Sequence, residues 1–529
     1  MKPVLIFLVS IFSYRSSPYF PKYSPVILLS IILLFAYFYN YHEIIKYRPQ
    51  GVHQWRQCDC LSLTSNFYSG EADFFHPEIH NLLKDNEGRT ASEFPLIYYL
   101  VSMFWKLFGK HEWIFRLMNF MISVIAMLAL LKVIEDILKD SFWSIFSVSL
   151  LFTSGIFAYY SLNFLMNTTA FSFALIGWYF FFKFYHGGKQ WLLYLMFLFF
   201  LLGGLLKASS LISFVALSGV FVFEWLGLFP MNRDHQIFKN KLVFSVPAII
   251  LMAFIYLWIS YVQAYNHTWN SGVFLLGILP IWDMSGEQII EVLDHVFIRW
   301  INGYFFWPTQ IFFILALIST WIFWKKAEKS LLLLSGLMTI GFVSFIVLFF
   351  GALKNHDYYV IDLLILSVFI MLTFFTLLLR NRKRLAIIDL TIIKVIAVVL
   401  LIVNMSNTTR EIHRRYSAVR NIQKNEMYGY LDIEPFLDSL GIDASKKVIS
   451  ASDRTINISL YLMNRKGWCR YGTNMEDSAA VADRIKRGAE YLLYHKEIDF
   501  EKNSHWTHFI KEELGVHENV TVCKIGLPQ

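Results

Sequence analysis

Residues 51–78 read GVHQWRQCDCLSLTSNFYSGEADFFHPE, and residues 92–117 read SEFPLIYYLVSMFWKLFGKHEWIFRL. Together they form the first polar stretch after the first membrane-length apolar run. They set Arg56, Asp59, two cysteines, histidines and Glu93 into a chain otherwise made of Phe, Leu and Ile. Polar groups at this density beside a membrane point to function. The stretch reads as half of an active site, with the helices after it supplying the other half.

Composition sets the class. Of 529 residues, 56% are hydrophobic, 18% aromatic and only 16% charged, where an average soluble domain is about a quarter charged. Mean hydropathy is +0.48. A single core cannot absorb this apolar surface, so the chain reads as a polytopic membrane protein. The net charge of +8 sits in short clusters between apolar runs, the pattern of membrane orientation and not of nucleic-acid binding. Four cysteines make no disulfide framework at this length. The apolar run from Pro3 to Ser13 is too short to span and lacks a small-residue cleavage site before Tyr14, so it reads as an interfacial segment.

The fold expected is an all-α polytopic membrane domain over residues 1–405, with a small α/β domain over 406–529. About eleven spans are expected, near 25–42, 113–134, 142–162, 166–186, 189–206, 208–228, 242–263, 308–324, 330–350, 358–379 and 385–404. Alternate connections carry Lys2, Arg15 and Lys22; Lys132 and Lys139; Lys183 and Lys189; Arg233, Lys239 and Lys241; Lys325, Lys326 and Lys329; and Arg380 to Arg384. These are assigned to the cytoplasm. The N-terminus is then cytoplasmic, loops 43–112 and 264–307 face outward, and residues 406–529 are extracytoplasmic at the cell (inner) membrane. Within 406–529, KKVISASD, NISLYLM, AEYLLYH and NVTVCKI read as short strands, and IEPFLDSLGI and DSAAVADRIKRGAE as helices. No internal repeat is visible.

Candidate chemistry lies in four places. On a helix Arg56 and Asp59 share a face, and Trp55 adds an apolar wall; a carboxylate held there can act as a general base, or it is a solvated loop acid. Lys207, in LLGGLLKASS, sits at the outer end of a span, where it either meets a phosphate as a point charge or snorkels to the interface. LKNHDYYVID (353–362) gathers Lys354, His356, Asp357, Tyr358 and Tyr359 at the outer mouth of a span. Loop 264–307 carries Trp269, Trp282, Arg299, Trp300, Asn302, Tyr304 and Trp307; such aromatics stack on sugars, but singly they read as interface residues. Cys58 and Cys60 flank Asp59 with only His53 nearby, so free thiols are expected in preference to a metal site. Cys469 and Cys523 could bond in an oxidising compartment. Without a phosphate-cradling glycine loop, nucleophile elbow or HExxH motif, nucleotide-dependent chemistry is not expected.

WRQCDCLSLTSNFYSG (55–70) followed by SEFPLIYYLVSMFWKLFG (92–109) resembles the first outer loop of the GT-C membrane glycosyltransferases. These are the polyprenyl-phosphate-sugar-dependent enzymes related to protein mannosyltransferases and the lipid A aminoarabinose transferase. The resemblance continues more weakly through YYSLNFLMNTTAF (159–171) and LLGGLLKASS (201–210) and returns at HDYY (356–359). It does not extend to 406–529. It implies an inverting glycosyltransferase that moves a sugar from a polyprenyl-phosphate donor to a hydroxyl of a glycan, lipid or protein acceptor. By position, Asp59 is implied as the catalytic base and Lys207 as the contact to the donor phosphate, with Arg56 and His356 assisting. Glu93, Tyr358, Tyr359 and Asn167 are expected to support the acceptor or the loop. Two departures stand out: Cys60 and Asn167 lie where many members carry acids. They favour transfer without a metal or other cofactor over a divalent-metal route. The alternatives are a transporter or flippase of a lipid-linked glycan, disfavoured because the charges gather at outer ends without repeated halves, and an inactive GT-C scaffold.

Overall fold

The computed structural model describes residue 6 and residues 19–528, except 85–86, 230, 232–236, 275–276, 385, 421–426, 475–476 and 496–505. The expected interfacial segment, residue 6 apart, and the positive residues Lys2, Arg15 and Arg233 lie outside the described residues.

Long apolar runs satisfy their backbone groups only as helices in lipid, and each of the eleven expected segments falls on helix. By length and apolar composition, six helices among the described residues can cross a membrane, or up to eight if each of two bent pairs makes one span. The bent pairs are Ser141–Phe152 with Gly155–Ser161, at 73°, and Gly286–Tyr304 with Trp307–Ile322, at 89°. Of the other expected spans, Ser24–Phe38 and Gln190–Leu206 are apolar but shorter. Asn167–Gly187 opens on the polar triplet Asn-Thr-Thr. Two of the three remaining expected spans are too short for the length criterion and the third opens on polar residues, so these criteria do not reach the expected count of about eleven.

The chain divides into two compact units. The first comprises residues 1–45, 116–258 and 277–413. The most buried candidate span is Asp357–Arg380, with 83% of its most apolar window buried, and the least buried is Lys241–Thr268, at 17%. Aromatic packing fixes the interior: Trp178 lies 4.7 Å from Phe369 and Trp143 lies 4.8 Å from Phe375, centroid to centroid. Such pairs contribute about 0.5–1.5 kcal/mol beyond area burial. The glycine pair before Lys207 permits close packing. A Cβ at Gly203 would stand 3.0 Å from the Ala170 carbonyl oxygen, and one at Gly204 would stand 2.6 Å from the Leu211 side chain.

The second unit comprises residues 46–115, 259–276 and 414–529. Its sheet has five strands: β1 Lys447–Ser450, β2 Gly467–Cys469, β3 Ala489–His495, β4 Ile510–His517 and β5 Val520–Ile525, in the order β2-β1-β3-β5-β4. β1 runs parallel to β2 and β3, and β5 antiparallel to β3 and β4. The first long loop joins this sheet: Leu82 N donates to Gly467 O at 2.8 Å and Gly467 N to His80 O at 3.1 Å. Leu82 is buried in the core with Trp468, Leu492 and Trp506. Gly467 is required here, since a Cβ would lie 1.9 Å from the Val448 carbonyl oxygen.

One expectation is corrected. NISLYLM is not a strand; Ile458–Met463 is a helix. Its start is tied locally: Thr455 Oγ1 accepts from Ile458 N at 3.1 Å, and Asp453 accepts from Ser459 N at 2.8 Å. All six of its residues are buried, so no polar face betrays the helical period. The helix Thr391–Arg420 passes through residue 405 unbroken, so the change in composition there does not end an element. Helix Leu96–Phe108 follows Pro95 and buries Ile97, Tyr98, Val101 and Trp105. Its other face exposes Leu100, Met103, Phe104, Leu107 and Phe108, an apolar surface suited to lipid.

Candidate active site

Asp59 lies on helix Gln54–Ser69, which is buried over most of its length. Polar side chains survive there by returning hydrogen bonds to the helix, as Thr64 Oγ1 does to Cys60 O at 2.8 Å and Asn66 Nδ2 to Ser62 O at 2.9 Å. The Asp59 side chain is only 2% exposed, with Arg56 Nη1 3.8 Å from its Oδ2. Arg56 also forms an ion pair with Glu93 through Nη2, and its guanidinium stands 4.7 Å from the Phe274 ring centroid. Among the described residues, Arg56 Nη1 makes no hydrogen bond. The i, i+3 spacing read from the sequence thus brings Arg56 and Asp59 together, and Glu93 completes the triad.

The sequence did not mark Asn457. Its Nδ2 donates to Asp59 Oδ1 at 3.0 Å. Its Oδ1 accepts from Asn81 N at 3.0 Å, and Asn81 Nδ2 donates in turn to Ile456 O at 3.0 Å. The one available signal was an asparagine directly before the apolar run ISLYLM, which is ordinary for a helix start.

Burial pushes the Asp59 carboxyl up to about 7; Arg56 and the Asn457 hydrogen bond oppose this, and Glu93 and Asp453 add to it. A carboxyl balanced near neutrality suits proton transfer. Burial also pushes the Cys60 thiol up to about 11 and the Cys58 thiol well above its ordinary value. Both cysteines are free and buried, and Cys60 Sγ lies 3.4 Å from Tyr98 Oη; as thiols they are poor nucleophiles. His80, 2.8 Å from Ser62 Oγ through Nδ1, is held well below the usual imidazole range by burial, and Lys110 and Lys466 push the same way. No group of three or more His, Cys, Asp or Glu suited to a metal occurs among the described residues. Cys469 and Cys523 are free. They sit on β2 and β5 with β1 and β3 between them, a separation of about 14 Å at ~4.8 Å per strand, which no disulfide spans.

The helical unit assembles a second group. Gln190–Leu206 ends at Lys207, whose backbone is extended (φ −149°, ψ 118°) before the turn Ala208–Leu211. Two residues on, Ser209 Oγ donates to Asp362 Oδ2, and the Lys207 charge acts on the same carboxylate. The HDYY segment packs nearby: Ala208–Leu211 and Asn167–Gly187 both contact Asp357–Leu363. His356 Nδ1 lies 3.0 Å from Tyr358 Oη, and Tyr359 lies 5.4 Å from the His356 ring. Tyr160 Oη donates to Asp357 Oδ1 at 2.7 Å, and Asn167 Nδ2 donates to Tyr358 O at 3.3 Å. Lys207, His356, Tyr358, Tyr359 and Asn167 therefore share one neighbourhood, and Asp362 and Ser209 join it unexpected. Lys354 is engaged elsewhere by Glu291. Of the loop tryptophans, Trp300 is buried, Trp282 and Trp307 are exposed, and Trp269 lies under Arg89 at 4.0 Å.

The broken, largely apolar helices of the first unit mark a polytopic membrane protein, and the solved structures it resembles give its fold as GT-C. ArnT from Cupriavidus metallidurans in the apo state is similar over 94% of this chain and 97% of its own, with a TM-score of 0.59 at 11% identity. The same protein bound to undecaprenyl phosphate gives 0.57 at 10% identity, with the same shares covered. The Archaeoglobus fulgidus oligosaccharyltransferase in complex with Zn and sulfate is similar over 88% of this chain and 68% of its own, with a TM-score of 0.56 at 11% identity. At such identities the likeness establishes the fold. Residues 92–261 match the profile of the dolichyl-phosphate-mannose-protein mannosyltransferase family, a stretch that contains Glu93, Asn167 and Lys207 and begins after Asp59. No curated protein matches the sequence. The GT-C resemblance read from the sequence thus holds for the fold, and the family profile matching residues 92–261 is that of a mannosyltransferase.

Proposed function

We propose that the protein is an inverting glycosyltransferase of the outer membrane face that takes its sugar from a polyprenyl-phosphate donor. The observation that carries this reading is the Asp59 carboxyl: buried, flanked by Arg56 and brought to about 7 in a chain of GT-C fold. Asp59 removes the proton of an acceptor hydroxyl as its oxygen attacks the anomeric carbon. The bond from that carbon to the phosphate oxygen breaks, and polyprenyl phosphate leaves with the electron pair. Lys207 and His356 offset the charge gathering on the phosphate, and Arg56 adds positive charge beside the base. Glu93 braces Arg56, and Asn167, Tyr358 and Tyr359 support the acceptor or the loop. The likeness to ArnT, a protein seen bound to undecaprenyl phosphate, supports the donor class. The acceptor is a glycan, lipid or protein hydroxyl, and transfer proceeds without a metal. The orientation proposed is an inner-membrane protein with a cytoplasmic N-terminus and residues 406–529 extracytoplasmic.

Transfer of radiolabelled sugar from a polyprenyl-phosphate donor by purified wild-type, Asp59→Asn and Lys207→Ala proteins tests this. Loss of transfer in both variants, with thermal melting unchanged, is expected. Wild-type rates from Asp59→Asn would refute the base assignment, and movement of intact lipid between leaflets without transfer would identify a flippase instead.

A further inference from the structure

Asn457 comes from the C-terminal segment, which has no role in the reaction described so far. Its side-chain orientation is determined by chemistry. The Asn81 backbone N–H can only donate, so the atom 3.0 Å from it is the amide oxygen of Asn457. The opposite end of the amide, 3.0 Å from Asp59 Oδ1, is then the NH2 group. Asn81 is itself fixed: its Nδ2 donates to Ile456 O at 3.0 Å, and its Oδ1 accepts from Leu83 N at 2.9 Å. Both asparagines are buried, at 0% exposure. The amide therefore cannot rotate without leaving buried groups unpaired, a loss that buried polar groups seldom sustain.

We infer that Asn457 is a positioning residue for the base: its fixed NH2 group occupies Asp59 Oδ1, so that the acceptor proton is taken on Oδ2, beside Arg56. This rests on Asp59 acting as the base. It also gives the C-terminal segment a part in the reaction, because that segment supplies the hydrogen bond that orients the carboxylate and favours its charged form. The other ionisable groups acting on Asp59 are Arg56, Glu93 and Asp453, while Cys58, Cys60, Cys469 and Tyr471 feel its charge. Among the groups acting on the carboxyl, Arg56 and Asn457 are the two that lower its affinity for a proton. Because Arg56 stands 3.8 Å from Oδ2, Asn457 makes the direct contact.

The test is the pH profile of sugar transfer by full-length protein. Asn457→Asp is isosteric and keeps an acceptor for Asn81 N–H, but it sets a second carboxylate against Asp59 Oδ1. Asn457→Ser removes the donor at this reach. In both, the acid limb of kcat/KM is expected to move up by about one pH unit, with activity regained at higher pH. A rate lowered equally at every pH, with the limb unmoved, makes Asn457 structural only and overturns the inference. Asp59→Asn assayed in parallel separates the two readings: if it transfers sugar at the wild-type rate, the base assignment has failed, whatever the Asn457 variants do. Should the Asn457 variants misfold, infrared difference spectra of wild type against Asp59→Asn decide. Inequivalent carboxylate oxygens are expected, and equivalent ones overturn the inference.

Discussion

Arg56 Nη1 stands 3.8 Å from Asp59 Oδ2 while Arg56 Nη2 is taken by Glu93. The cation is close enough to favour the carboxylate and too far to saturate it, and burial wins the balance, leaving Asp59 at about 7. A base must be ionised, so the raised value places the working range above about 7. The expected outcome is a kcat/KM that falls tenfold per pH unit as pH drops below about 7. Arg56→Gln removes the lowering charge and moves this limb to higher pH. A limb near the ordinary carboxylate range of about 4 would show that Asp59 does not carry the transferred proton.

Glu93 and Arg56 form a mostly buried ion pair, with side chains 6% and 15% exposed. Deleting one partner leaves a desolvated charge, which costs about 3–5 kcal/mol when burial is complete. Glu93→Ala is therefore expected to lower the melting temperature of the detergent-solubilised protein by several degrees, and Arg56→Ala/Glu93→Ala to recover part of it. A double variant as unstable as the sum of the singles would mean the two residues are not coupled.

Lys207 sits where a helix stops, in extended backbone, with Asp362 and Ser209 beneath it. If it meets the donor phosphate, Lys207→Ala should reduce transfer by ~10²–10³. Polyprenyl phosphate should then also inhibit the variant less well than wild type. Unchanged inhibition together with a lowered rate would place Lys207 elsewhere in the reaction.

The helical part of the fold was legible because lipid leaves its backbone one option and because hydropathy needs no partner to be read. Pairs close in sequence were legible too: Arg56 with Asp59 is one helical turn. What failed was long-range or fully buried. Asn457 reaches Asp59 across 398 residues, and nothing local distinguishes it from a capping asparagine. Ile458–Met463 is buried all round, so its helical period is invisible, and its Ile, Leu and Tyr content imitates a strand. β2 is three buried residues, Gly-Trp-Cys, shorter than any pattern. The attachment of residues 80–82 to the edge of β2 is made by backbone pairing, which side-chain patterns do not encode, together with Asn81 Nδ2 donating to Cys469 Sγ at 3.1 Å.

Asn167 stands where the resemblance to GT-C enzymes implies an acid, and among the described residues its Nδ2 is hydrogen-bonded while its Oδ1 is buried without a partner. Nδ2 donates to the Tyr358 carbonyl at 3.3 Å, inside the HDYY turn, and the residue is buried at 0% exposure. Asn167→Asp exchanges a donor for an acceptor facing another acceptor. The Tyr358 carbonyl loses this donor, and the repulsion between the two oxygens adds to the loss. The turn carrying His356 should loosen, so the substitution is expected to weaken donor use and lower thermal stability together. Asn167→Gln retains the donor at greater length and should be milder. Were Asn167→Asp instead to raise transfer, and to do so only when a divalent ion is added, the position would be a latent metal ligand and the metal-independent route proposed for this chain would be wrong.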